Sequence, residues 1–264
     1  MNIIVCVKQV PNTNEVKINK ETGTLIREGV ESIINPDDKN ALEAALAIKE
    51  QVGGKVTLLS MGPAQAQAAL KEGLAMGADE VYLLSDRAFG GSDTWATATI
   101  IAAAIEKIGN YDLIFCGRQA IDGDTAQVGP EVAEFLGIPQ VTYAKNVKVD
   151  GKDLVVTRYT EDADFVIRVQ TPCLLTAIKE LNDPRFPTVA KIFEAYDQQK
   201  DNVKVITFAD IDVDPTQIGL KGSPTNVFRS FVPVKDKHSE IIEGMNEKEK
   251  ANTLMDKLFE LKLI

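Results

Sequence analysis

Short unbroken apolar runs alternate with longer stretches of helical spacing over the first two thirds of the chain. Ile3–Val7 is continuously apolar, the pattern of a strand buried on both faces. Asn35-Pro36-Asp37-Asp38 then predicts a helix start, with Ala41, Leu42, Ala45, Leu46 and Ile48 as its apolar positions. Val56–Leu59 predicts the next strand, and Pro63 opens an alanine-rich helix that ends near Gly77. Val81–Leu84 predicts a third strand, Asp93–Ile108 a third helix, and Asp112–Cys116 a fourth strand. Strands alternating with helices of this length predict an α/β fold, a doubly wound, Rossmann-like parallel sheet with helices on both faces, over roughly residues 1–205. In such sheets ligands sit at the carboxyl ends of the strands. Those ends carry Lys8-Gln9-Val10-Pro11, Ser60-Met61-Gly62-Pro63 and the stretch from Gly117 to Thr125.

From Val141 the pattern changes. Val147–Val149 and Leu154–Tyr159 flank Asp150-Gly151, a hairpin signal. Phe165–Val169 and Cys173–Ile178 continue in strand-like fashion, so an antiparallel extension of the sheet is expected. Leu181–Lys191 carries two prolines and no regular period, an exposed loop leading into a short helix. Residues 206–236 read as a linker dense in Asp, Pro, Gly and Ser. Residues 237–264 read as an amphipathic arm with Ile241, Met245, Leu254, Met255, Leu258, Phe259 and Leu261 apolar, interrupted by the polar Asn246–Lys250. A helix on so long a linker is expected to pack on a partner chain.

Composition narrows the classes. The net charge of −10 argues against a nucleic-acid binder or a membrane-surface protein. Cys6, Cys116 and Cys173 lie inside apolar runs without CxxC spacing, so they read as core thiols in a reducing, cytoplasmic setting rather than metal ligands. No run of about 18 apolar residues predicts a membrane span. The sole histidine, His238, reads as a solvated surface residue. Arg158 and Arg168 read as surface ion-pair formers. No nucleophile, base or acid–base pair stands out, so no catalytic residue is assigned.

The strongest local signal is FCGRQAIDGDTAQVGP at Phe115–Pro130. A strand, a loop with Gly117 and Gly123, and a helix carrying Glu131, Phe135 and Leu136 follow in order. That arrangement sets a phosphate against free N–H groups at a helix N-terminus. Asp124 and Thr125 are suited to cap the helix, and Thr125 adds a hydroxyl donor. An ordinary capped βα loop has the same letters. A second glycine-containing stretch, FGGSDTWATA at residues 89–98, places Gly90, Gly91 and a Ser-Asp-Thr cap at another helix start. A nucleotide-sensing module or an ATP-using ligase would also fit a sheet lip, but a lysine-bearing phosphate loop and an SGGxDS loop are both missing.

VKQVP at Val7–Pro11, INPDD at Ile34–Asp38, MGPAQAQAALKEGLAMGAD at Met61–Asp79, GRQAIDGDTAQVGP at Gly117–Pro130 and LNDPRFPTVAKI at Leu181–Ile192 together resemble the beta subunits of electron transfer flavoproteins. The resemblance covers nearly the whole chain. It implies a heterodimer with an alpha subunit that carries one FAD and receives the C-terminal arm. It implies a second adenine nucleotide in this chain, FAD in the electron-bifurcating branch or a structural AMP in the conventional one. The nucleotide contacts implied fall on Cys6, Asn35, Pro36, Asp37, Asp38, Met61 and on Gly117, Arg118, Gln119, Ala120, Ile121, Asp122, Gly123, Asp124, Thr125, Ala126, Gln127 and Val128. Residues 89–98 resemble the bifurcating branch, which implies NADH at Gly90, Gly91, Asp93, Thr94 and Thr97. Arg185, Phe186, Pro187 and Val189 match the family's recognition loop, with Val189 as the plug into an acyl-CoA dehydrogenase or lactate dehydrogenase type partner. Ferredoxin or flavodoxin is the implied low-potential acceptor.

Overall fold

The computed structural model describes residues 1–12, 31–197, 202–228 and 239–264 in full, and 17–18 and 25–26 by backbone only. Its elements run β1 (Asn2–Cys6), β2 (Gln9–Pro11), β3 (Lys17–Ile18), β4 (Leu25–Ile26), β5 (Ser32–Ile34), α1 (Pro36–Val52), β6 (Lys55–Met61), α2 (Gln67–Met76) and β7 (Glu80–Leu84). There follow α3 (Thr94–Ile108), β8 (Leu113–Gly117), α4 (Val128–Phe135), β9 (Gln140–Asp150), β10 (Asp153–Tyr159), β11 (Asp164–Gln170) and β12 (Cys173–Ala177). The chain ends with α5 (Val189–Ala195), β13 (Lys204–Ile206), α6 (Gly219–Gly222) and α7 (Glu247–Glu260). His238 lies outside the described residues.

Nine strands form one sheet in the order β11-β10-β9-β12-β8-β1-β6-β7-β13. From β9 to β13 neighbouring strands are parallel, and β10 and β11 add antiparallel edges. Period-2 alternation divides the core. Ile3, Val5, Val56 and Leu58 meet α1 and α2 on one face, while Ile4, Leu59 and Ile114 meet α3 and α4 on the other. Because both faces are covered, the central strands are mostly apolar, with Thr57, Ser60 and Thr176 buried among them, which is why their runs stand out in the sequence.

Three expectations are corrected. Cys173–Ala177 is not part of the antiparallel extension: β12 inserts between β8 and β9, parallel to both. Its five residues are all buried, as a central strand requires. The expected linker does not begin at 206. β13 pairs with β7, and Ile206, Ile211 and Ile218 are buried against the α3 face, so the segment through Ser223 is a strap on the domain. The polar stretch Asn246–Lys250 does not interrupt a helix but starts one, with the Asn246 side chain accepting from Glu249 N–H at 3.0 Å. Contacts divide the chain into two compact units, Met1–Phe228 and Arg229–Ile264, and α7 belongs to the second.

Candidate functional site

From β1 the sheet is built outward to β6 and β7 on one side and to β8 and β12 on the other. At such a switch point the strand ends part and leave a crevice. The first turn of α1 lies beneath it. Asp38 is buried there, and its carboxylate accepts from Lys8 N–H at 2.7 Å, Gly117 N–H at 3.0 Å and Asn35 Nδ2 at 3.0 Å. One side chain thereby ties the ends of both strands to one helix. Burial pushes the Asp38 carboxyl up to about 7, against the pull of those three donors. Asn35 stands before α1 yet does not cap it. Its Nδ2 donates to Gln119 O at 2.8 Å and its Oδ1 accepts from Ile121 N–H at 3.1 Å, so it stitches down the 117–127 loop.

The acidic residues at this lip are engaged within the protein. Burial raises the Asp37 carboxyl, opposed by Arg118, whose Nε lies 3.3 Å from Asp37 Oδ2. That Nε is out of hydrogen-bonding line and has no acceptor among the described residues. Asp122 pairs with Lys8 Nζ at 2.6 Å, and Asp124 accepts from Gln119 Nε2 at 2.9 Å. A cleft opens beside them, lined by Lys8, Gln9, Met61, Gly62, Gln65 and Asp122. Cys6 follows Val5 and Cys116 follows Phe115 in the register that pairs β1 with β8. The Cys6 thiol and burial together push Cys116 well above its usual value.

The helix start is later than expected. α4 begins at Val128, and neither Asp124 nor Thr125 caps it. The reason is the backbone: Asp124 and Ala126 have φ of 50° and 54°, and Gln127 returns to φ −100°, ψ −38°. A left-handed residue followed by a right-handed one turns successive N–H groups to one side, an anion-binding nest. Among the described residues, the amides of Thr125, Ala126, Gln127 and Val128 donate to no protein acceptor. Gly123, one of the two glycines of this loop, has no positive φ, and a Cβ there would meet nothing within 4 Å. The left-handed strain sits on residues with side chains instead.

The second glycine-containing lip is partly covered. Leu220 N–H donates to Gly90 O at 3.1 Å, and Asp93 N–H donates to Ser223 Oγ at 2.9 Å. The Asp93 carboxylate accepts from Ala96 N–H, capping α3, and from Thr225. Gly90, Gly91 and Asp93 therefore face the strap. Thr97 stays half-buried on the first turn, and Thr94 faces α4, its Oγ1 lying 3.1 Å from Gln127 Oε1 and 3.2 Å from Glu131 Oε1. The two candidate lips thus touch through side chains. The sequence names Glu131 only as a member of the helix after the loop; the later start at Val128 puts it in the first turn.

Comparison with known proteins decides the family. The electron transfer flavoprotein domain matches residues 22–211. The chain is 59% identical over 258 residues to the electron transfer flavoprotein subunit beta of Thermoanaerobacterium thermosaccharolyticum, covering 98% of each chain. It belongs to the electron transfer flavoprotein family, among the beta subunits. It is also 55% identical over the full length of both chains to the caffeyl-CoA reductase-Etf complex subunit CarD of Acetobacterium woodii. With the acryloyl-CoA reductase electron transfer subunit gamma of Anaerotignum propionicum the identity is 48%, again over both whole chains. A beta subunit of this family serves electron transfer in a complex with an alpha subunit and flavin.

In this beta subunit the residues expected to form a recognition loop divide in two. Arg185 is held by α1, its Nε 2.8 Å from Glu43 Oε2 and its Nη2 2.9 Å from Glu43 Oε1. Phe186 and Val189 point outward at 92% and 70% exposure, and Phe193, one turn beyond Val189, is 76% exposed. Val189 is the first residue of α5, capped by the Thr188 hydroxyl, so it stands on a helix rather than a loop. Ile192 and Tyr196, also exposed, continue the apolar stripe. Among the described residues no helix is long and apolar enough to cross a membrane.

Proposed function

We propose that this beta subunit is the NADH-oxidising part of an electron-bifurcating complex. It holds FAD at the Thr125–Val128 nest and takes electrons from NADH at the α3 lip. They pass by way of the alpha-subunit FAD to an acyl-CoA dehydrogenase or lactate dehydrogenase type partner and to ferredoxin or flavodoxin. The observation that carries the reading is the meeting of two helix N-termini, α3 and α4, through Thr94 and Gln127 beside four amides with no acceptor among the described residues. A bound flavin supplies the redox chemistry that no side chain here provides. The protein's part is to hold and orient. The nest amides would meet pyrophosphate, and the Lys8–Gln65 cleft would take the adenine end. The names of the caffeyl-CoA and acryloyl-CoA reductase relatives support the bifurcating branch over the AMP-holding one. The arm around α7 is assigned to the alpha subunit, its Leu254, Leu258 and Leu261 at helical spacing.

Gentle extraction of the heterodimer should release FAD from both subunits. One FAD with one AMP would assign the chain to the conventional branch. Thr97→Asp adds a like charge to the α3 lip without entering the strap, as a side chain at Gly91 would against Leu220. NADH-dependent flavin reduction should slow by about tenfold, the effect of roughly 1.4 kcal/mol, with FAD content unchanged. Unaltered reduction would place the dinucleotide elsewhere.

For the partner dehydrogenase, Val189→Ala removes two buried carbons from the docked plug, at about 0.8 kcal/mol each. The KM for the partner should rise about tenfold while NADH oxidation stays normal. An unchanged KM would remove α5 from the docking surface.

A further inference from the structure

Thr94 Oγ1 lies between two oxygens, Gln127 Oε1 at 3.1 Å and Glu131 Oε1 at 3.2 Å, and has one hydrogen to give. The other oxygen of Glu131, Oε2, is sealed from solvent and has no partner among the described residues. With Gln127 turning its Oε1 to the hydroxyl, both contacts are satisfied when Glu131 itself carries a proton and donates it to Thr94, which donates onward to Gln127. Glu131 also stands in the first turn of α4, immediately behind the Thr125–Val128 nest. A carboxylate there would compete with a bound anion for the helix N-terminus, whereas a neutral carboxyl leaves it to the ligand.

We propose that Glu131 is a positioning residue that is protonated when a pyrophosphate is held at the α4 N-terminus, so that nucleotide binding takes up a proton and locks Thr94 of the α3 lip to Gln127 of the nest. This rests on the nucleotide reading of that nest. Burial raises the Glu131 carboxyl, the Thr94 hydroxyl opposes this, and Asp93 adds to it. The titratable groups facing α4 are few. From α3 there is Asp93, held below the usual carboxylate range, against burial, by hydrogen bonds from Ala96 and Thr225. From β8 there is Cys116, which stays a thiol because Cys6 and burial hold it high. β9 and β12 offer Gln140 and Thr176, which do not titrate, and α4 itself adds only the exposed Glu134.

The sign follows from linkage. Binding favours the protonated carboxyl and raises its pKa further. Affinity is therefore full below the free-state pKa and falls as pH rises toward the bound-state pKa, by at most about tenfold per pH unit for one proton. The probe is ADP-ribose, whose pyrophosphate diester does not titrate near neutrality, added to the heterodimer freed of its beta-site nucleotide. Calorimetry in buffers of different ionisation enthalpy should show proton uptake by the wild-type complex and none by Glu131→Gln, which should bind with a flat pH profile. Glu131→Ala should bind more weakly than Glu131→Gln, because the amide still bonds Thr94. In the wild type alone, ADP-ribose should bring up a carboxylic-acid C=O band in the infrared difference spectrum. Binding without proton uptake, or uptake that persists in Glu131→Gln, overturns the proposal while leaving the nucleotide site intact. No binding of ADP-ribose at any pH overturns both.

Discussion

Gly117→Ala is expected to lower the melting temperature by about 6–12 °C, at roughly 2–4 °C per kcal/mol for a domain of this size. A Cβ at position 117 would lie 2.1 Å from Asp38 Oδ1, 2.7 Å from Asp38 N and 2.8 Å from the Asp37 carbonyl carbon. The last two are backbone in the first turn of α1 and cannot rotate aside. Relief requires the end of β8 and α1 to separate, and Asp38 then loses the N–H of Gly117. A buried donor left without an acceptor costs about 1–3 kcal/mol. Overpacking adds about 1–3 kcal/mol, so a combined loss of about 3 kcal/mol underlies the expected shift. Asp38→Asn tests the same joint without added bulk. An amide cannot accept at both of its terminal atoms, so one of the Lys8 and Gly117 amides goes unsatisfied, and the loss should be about 1–3 kcal/mol. Thermal unfolding followed by circular dichroism measures both. A Gly117→Ala melt within about 2 °C of wild type would mean that strand end and helix are not coupled in this way.

The parallel core was legible because burial on both faces imposes a mark on each strand separately. Ile3–Val7 and Val81–Leu84 are apolar without interruption, Val56–Leu59 is broken only by Thr57, and Pro36 and Asp93 sit where helices begin. What escaped were properties of pairs distant in sequence. CLLTA at Cys173–Ala177 carries the same apolar mark, but nothing local says that the chain returns from the β10–β11 hairpin to insert between β8 and β9. The strap after Ile206 is held by Ile211 and Ile218, single apolar residues with no common period in a polar stretch, so composition read it as linker. At the candidate site, the loop glycines are the residues that a sequence offers for unusual backbone. The left-handed positions are Asp124 and Ala126, and alanine does not announce a positive φ. Asn35 and Asp38 were legible as members of the lip, but their hydrogen bonds make them builders of the loop as much as contacts for a ligand.

That backbone decides the other large effect. Ala126→Val is expected to weaken adenine-nucleotide binding by the beta subunit at least a hundredfold while leaving the sheet folded. With φ at 54°, Ala126 already holds a conformation that costs an L residue about 1–2 kcal/mol. A β-branched side chain crowds the following carbonyl and makes that region a genuine outlier. The loop should therefore relax to negative φ, which turns the N–H groups around residues 126–128 away from a common point. Charge-assisted hydrogen bonds of this kind are worth about 1.5–3 kcal/mol each, so losing two exceeds the roughly 2.7 kcal/mol of a hundredfold change. Ala126→Gly should retain the geometry and much of the affinity, since glycine takes positive φ freely. Gly123→Val should be far milder than Ala126→Val, because its site has open space and no positive φ. Thr125→Ala should also be mild, since it removes one hydroxyl and leaves every amide in place. The measurement is nucleotide retained per purified heterodimer, with FAD affinity from flavin fluorescence on reconstitution. If Ala126→Val keeps its nucleotide while Gly123→Val loses it, the anion is gripped at the glycine turn and not at the nest before α4.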